Sequence, residues 1–189
     1  MRTNRTMEHR AHPARRLVPA WVLASLLFAL PAARAVTVST TPADTTVTRG
    51  STVVLRITIS TLSDLKAFQV ISAFDPAILE LQRIDAGDVL TAAGLAYFGR
   101  SLSDYAAPAD TAWYDAAMLE GTSSGPGVLV YLTFKAVGVG TSAVPCCWAD
   151  IRDAGNHHIQ PTCEGGVLHV LEPVPARTST WGRLKALYR

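Results

Sequence analysis

From Thr52 onward the chain alternates apolar and polar side chains with a period of two. Val53, Leu55, Ile57 and Ile59 take turns with Val54, Arg56, Thr58 and Ser60. That period puts one set of side chains on each face of an extended strand, whereas a helical face repeats every 3.6 residues. The pattern returns along the chain. Leu65 to Phe74 places Phe68, Val70 and Phe74 on one face and stops at Asp75-Pro76. Proline restricts the residue before it and has no N–H for a ladder bond. Ile78 to Ile84 reads as a further strand, and Leu95 to Gly99 and Thr111 to Ala116 as short aromatic ones. Gly127 to Val137 is the strongest. Val128, Val130, Leu132, Phe134 and Ala136 share one face, and Leu129, Tyr131, Thr133 and Lys135 the other. Thr141 to Ala149 and Gly166 to Leu171 complete the series. Gly or Pro stands at nearly every junction, including Gly50, Gly87, Gly121, Gly138 and Gly140. About nine short strands with frequent turns predict an all-β, antiparallel β-sandwich or barrel. No helical pattern of real length intervenes, which argues against parallel βαβ units.

Before this region the character differs. Arg2, Arg5, Arg10, Arg15 and Arg16 precede an apolar run from Leu17 to Leu30, followed by Pro31 and Ala33-Arg34-Ala35. A positive start, a short apolar core and an A-x-A end read as a signal peptide over 1–35, cleaved after Ala35. The run is shorter than the ~20 residues of a membrane span, so no span is expected after cleavage. Residues 1–35 carry six Arg against one Glu, while the rest carries eleven Lys/Arg against fourteen Asp/Glu. A mildly acidic body excludes a nucleic-acid binder held by clustered cations. Charged residues make up 17% of the chain and hydrophobic ones 49%, which excludes a disordered chain.

Catalytic chemistry finds no frame. G-x-S-x-G, H-E-x-x-H and paired carboxylates in a recognisable setting are all missing, so no catalytic residue is named. His157-His158 with Asp153 and Cys163 lacks regular zinc-ligand spacing. Asp150, Asp153 and Asn156 lack the D-x-D-x-D-G calcium loop. Both read as a polar hairpin turn, with no metal and no cofactor implied.

The order of the strands resembles the cohesin modules of cellulosome scaffold proteins and their relatives outside cellulosomes. Four stretches carry it. Ala67 to Val70, continuing through Phe74-Asp75-Pro76 to Glu80, is similar to the family strand that ends in aromatic-Asp-Pro. Asp85-Ala86-Gly87-Asp88-Val89-Leu90 is similar to the Gly-Asp-Leu-Leu turn after it. Gly127 to Ala136, with Gly138 and Gly140, resembles the long strand ending in Phe-Lys-Ala. Ala149-Asp150 to Gly155-Asn156 and Ile159, then Gly166 to Val170, resembles the closing hairpin. The match spans roughly 36–171. Bland readings stand beside it: Asp75-Pro76 forms turns, and Gly138 and Gly140 allow positive φ.

The resemblance implies a non-catalytic jelly-roll sandwich that binds a dockerin-like protein module on one sheet face, near extracellular polysaccharide breakdown. The implied face uses the third, fifth, sixth and eighth strands. Lys66, Gln69, Ile71, Ala73, Tyr97, Trp113 and Asp115 are its candidate outward residues, subject to register. Of Trp113 and Tyr114, one is expected in the core and the other over an edge. A second class, polysaccharide binding on exposed aromatics, draws on Tyr97, Trp113, Tyr114 and Trp148.

Cys146, Cys147 and Cys163 are three, and in an exported chain one pair is expected to oxidise. Adjacent strand residues face opposite ways, so one of Cys146 and Cys147 meets Cys163 across flanking strands that pair. The bridged loop of about fifteen residues is worth roughly 3 kcal/mol on the chain-entropy account. Beyond Leu171, residues 172–179 read as a Pro/Ser/Thr linker. Residues 180–189 read as a basic-aromatic tail with Trp181, Leu184 and Tyr188 at helical spacing, a candidate recognition or sorting peptide.

Overall fold

The computed structural model describes residues 35–101 and 110–174. The stretch read as a signal peptide, up to Arg34, most of the stretch read as a linker, and the tail residues Trp181, Leu184 and Tyr188 lie outside the described residues. Among the described residues, thirteen strands and one short helix follow in order: β1 (Thr37–Thr41), β2 (Asp44–Thr48), β3 (Thr52–Ile59), β4 (Leu65–Ala73), β5 (Leu79–Ala86), α1 (Asp88–Thr91), β6 (Tyr97–Ser101), β7 (Thr111–Met118), β8 (Gly127–Ala136), β9 (Gly140–Val144), β10 (Cys146–Asp153), β11 (His158–Ile159), β12 (Thr162–Glu164) and β13 (Gly166–Leu171).

They form two five-stranded sheets, β12-β1-β3-β8-β5 and β11-β10-β4-β7-β6, and a three-stranded one, β2-β13-β9. One core joins them. Leu55, Ile57 and Phe134 enter from the first sheet, Phe68, Tyr114 and Ile151 from the second, and Leu168 and Val170 from the third. Phe74 meets Phe134 edge-on, with ring centroids 5.0 Å apart. The all-β sandwich is therefore as expected.

Five details differ from the sequence reading. The strands β1 and β2, TVSTT and DTTVT, precede the first strand expected. They lack an apolar alternation, but β-branched threonine suits the pleat. They also pair parallel, β1 with β12 and β2 with β13, so the sheets are not purely antiparallel. The run Thr141 to Ala149 is two strands in two sheets, because Pro145 interrupts it and donates no ladder bond. Leu129, assigned outward by alternation, is fully buried. On β3, Ile57 faces Val130 and Thr58 faces Val128, so Leu129 is the extra residue of a bulge. Finally, Gly138 serves space rather than positive φ: a Cβ there would stand 2.1 Å from the Ala77 carbonyl oxygen. Gly140 does sit at positive φ, +148°.

Tyr114 carries a consequence for pH. It packs on the core side of β7 with its ring centroid 6.2 Å from that of Phe68. Burial, then the nearby Tyr97 and Asp85, pushes its phenol from 10.0 up to about 12. A raised folded-state value means the stabilisation is complete below pH 10 and is lost as pH climbs towards 12. Tyr114→Phe is therefore expected to move the alkaline unfolding midpoint to higher pH, read by circular dichroism against phenolate absorbance. An unmoved midpoint would remove Tyr114 from the account.

Candidate partner-binding face

The second sheet turns one side to the core and the other to solvent. Cross-strand register arranges the outer side in rows. Trp148, Ile71 and Trp113 form the first, on β10, β4 and β7. Asp150, Gln69, Asp115 and Arg100 form the second, ending on β6. Arg152, Ala67, Ala117 and Phe98 form the third, and Ala73 lies opposite Thr111 beyond the first. Directly opposed residues are near enough to interact, so each row is a contiguous strip.

The middle row is held by hydrogen bonds. Asp115 Oδ1 accepts from Gln69 Nε2 at 2.7 Å and from Trp113 Nε1 at 2.6 Å. Its Oδ2 lies 3.6 Å from Arg100 Nη2. One carboxylate therefore fixes the amide, the indole and a guanidinium on three strands, which limits the rotamer entropy lost on binding. Asp150 Oδ2 accepts from Arg152 Nη2 at 2.8 Å and from Nε at 3.2 Å. Hydrogen bonding to Asp150 raises the Arg152 pKa further above its ordinary value. Asp150 Oδ1 has no hydrogen-bond partner among the described residues, and His158 Nε2 stands 3.6 Å from it.

Exposed apolar side chains stand in the rows on either side of this one, Trp148 at 54% in the first and Phe98 at 52% in the third. Beside Phe98, over the second and third rows, lies a shallow depression of about 300 Å³, lined by Phe98, Asp115, Ala117, Asp150, Arg152 and Asn156 among others. The turn beyond it is polar. Asp153 accepts from His157 N at 2.8 Å, and this bond, with the His157 ring beside it, holds the carboxyl below its usual range.

The sequence-based candidates divide as follows. Gln69, Ile71, Ala73, Trp113 and Asp115 lie on this outer face. Tyr97 does not: it sits opposite Met118, which is buried, and packs against the core. A shift of one residue explains this, since the outward positions on β6 are Phe98 and Arg100. Lys66 stands at a register shift between β4 and β10, and its Nζ reaches the Gly121 carbonyl at 3.1 Å. Tyr114 is buried as expected of one of that pair, but Trp113 is half-buried on the outer face of the inner strand β7 and not over an edge. Of the aromatics considered for glycan, Tyr97 and Tyr114 are therefore withdrawn from the surface, while Trp113 and Trp148 share a row. Phe98, Arg100 and Arg152 on this face were not among the sequence-based candidates, and Asp150 was weighed there only for calcium. The alternation on each strand signalled them, but only the register identifies which alternation faces out.

The cysteines also depart from expectation. The strand bearing Cys163, β12, does not pair with β10. It pairs parallel with β1 at the edge of the first sheet. Cys146 Sγ nonetheless donates to Cys163 Sγ at 2.9 Å.

A family model for the cohesin domain matches residues 38–163. A non-cellulosomal cohesin from the hyperthermophilic archaeon Archaeoglobus fulgidus shares the fold with a TM-score of 0.60 at 13% identity, covering 82% of this chain and 99% of that one. The sixth cohesin from scaffoldin B of Acetivibrio cellulolyticus, solved in complex with a Cel5 dockerin mutant, gives 0.60 at 16% identity, covering 72% and 99%. An OlpA cohesin from Clostridium thermocellum, solved in complex with a dockerin, gives 0.59 at 9% identity over the same shares. No curated protein matches the sequence. With strands in the expected order and a family match over most of its length, this chain belongs to the cohesin domain family.

Proposed function

We propose that this is an exported, non-catalytic binding module whose second sheet docks a dockerin-like protein partner outside the cell or at its surface. One observation carries the reading: the outer face of β10-β4-β7-β6 presents exposed Trp148 and Phe98 in the rows on either side of an Asp150–Gln69–Asp115–Arg100 row whose centre is held by hydrogen bonds to Asp115. Exposed aromatics beside fixed polar groups are what binding hot spots are made of. Complexes of cohesin neighbours with dockerins support the choice of partner. Export rests on the sequence of 1–35, and the layout of domain 36–171, linker 172–179 and tail 180–189 is part of the same proposal. A link to polysaccharide breakdown belongs to the same proposal and is supported by the resemblance to cellulosome cohesins alone.

A second reading has a specific observation behind it. Trp148 and Trp113 lie in one row two strands apart, a backbone separation of roughly 10 Å. Two aromatic side chains on one sheet face are suited to stacking sugars of an extended glycan.

The test uses the exported chain as bait against the source cell's secreted and surface fraction, beside an insoluble-polysaccharide binding assay. Recovery of a protein bearing a dockerin module, with affinity that falls as salt rises, is the expected result. Retention on polysaccharide with no protein partner, unaffected by salt, would overturn it for the glycan reading.

A further inference from the structure

The geometry points to a redox-formed staple between Cys146 and Cys163 that ties the two large sheets together and fixes the start of β10. Cys146 opens β10 opposite Ser72 in the second sheet. Cys163 lies on β12, opposite Val38 in the first. The two sulfurs stand 2.9 Å apart, so oxidation needs no large rearrangement of either strand. Because β10 and β12 belong to different sheets, the bond is a clamp across the sandwich edge, not a rung within a hairpin.

The segment it clamps needs holding. The strand β12 has three residues, all exposed, and is the outer edge of its sheet. On the other side, the register of β10 on β4 shifts between Cys146 and Trp148, leaving Cys147 without a counterpart. Trp148 emerges from that bulge onto the outer face at 54% exposure. Fixing Cys146 therefore fixes the strand end from which Trp148 is presented. The use made of this rests on the docking reading, but the staple itself does not.

The chemistry is thiol–disulfide exchange with a disulfide oxidant of the exporting compartment, either a thiol oxidoreductase or oxidised glutathione. Cys163 is exposed and Cys146 buried, which sets the order. The Cys163 thiolate attacks the donor disulfide, forms a mixed disulfide and expels one donor thiolate. The Cys146 thiolate then attacks the Cys163 sulfur and expels the second. Two cysteine thiols are oxidised, the donor disulfide is reduced to two thiols, and the two cysteine protons end on them.

The experiment treats the purified exported chain with oxidised glutathione, alkylates it and digests it with trypsin without reduction. The expected product links the peptide 136–152 to the peptide 153–177, with Cys147 alkylated. Cys147→Ser should keep the link, and Cys146→Ser should lose it. Linkage that survives Cys146→Ser and disappears with Cys147→Ser would overturn the assignment. So would alkylation of all three cysteines in a chain that circular dichroism shows to be folded. Hydrogen exchange gives a second, partner-free readout. Reduction should speed exchange at Thr162–Glu164 and Trp148 at least tenfold while leaving Leu55 and Ile57 unchanged. Equal exchange in both redox states would sink the staple role.

Discussion

Gly87→Ala is expected to cost the domain about 3 kcal/mol or more, the upper range for forcing atoms into a filled interior. Its φ of −81° is open to any residue, so the penalty is one of space. A Cβ there would stand 1.9 Å from Val128 O, 2.4 Å from Val128 C and 2.7 Å from Leu129 C. All three are backbone atoms, and no rotamer change moves them aside. The approach is close because the Gly87 N–H donates to the Leu129 carbonyl at 2.8 Å, the carbonyl of the bulge residue on β8. Asp88 adds a second tie, Oδ1 accepting from Val128 N at 2.6 Å. A larger residue at 87 pushes α1 off β8 and uncovers Val89 and Leu90, both buried. Gly50→Ala is the contrast. It lies at φ +92° with nothing within 4 Å of a Cβ, so only backbone strain of about 1–2 kcal/mol applies. Urea denaturation of both variants checks the pair, and equal losses would refute the close-approach account.

The same turn shows what the sequence makes legible and what it does not. Gly87-Asp88-Val89-Leu90 stands out as a motif, but its spacing carries no hint that the glycine is squeezed between two chain segments. Alternation gave the inward set on β4, Phe68 and Val70, because a half-buried strand repeats every two residues. It failed at Leu129, where a bulge shifts register and leaves no mark in a period. The strands β1 and β2 were illegible for a different reason: threonine serves both pleat and loop, and their parallel partners β12 and β13 lie more than a hundred residues away. On the candidate face, Gln69, Ile71, Ala73, Trp113 and Asp115 were reached because the family resemblance implied which strands to look at and alternation on β4 and β7 then supplied an outward side. The exchange of Tyr97 for Phe98 and Arg100 was not, since it depends on the pairing of β6 with β7. The hydrogen-bonded hub at Asp115 likewise appears only once three strands are side by side.

Trp148→Ala is expected to leave stability within about 0.5 kcal/mol, as for most exposed positions. Partner affinity should fall by about 30-fold or more, the size of a hot-spot truncation near 2 kcal/mol. The separation follows from where the indole stands. At 54% exposure it contributes little to the core. Facing Ile71 beside Trp113, it offers a large rigid apolar surface that loses little entropy when covered. Asp115→Ala should act differently. It removes the acceptor for Gln69 and Trp113 and the charge facing Arg100, loosening three side chains at once. Both stability and affinity should drop, and Asp115→Asn should recover most of the stability because an acceptor oxygen remains. Val54→Ala, 47% exposed on the first sheet, is the control and should change neither. Calorimetric titration with the recovered partner, alongside thermal unfolding of each variant, separates these outcomes. If Trp148→Ala binds like the parent while Val54→Ala does not, the partner uses the first sheet and the docking face has been placed on the wrong side of the sandwich.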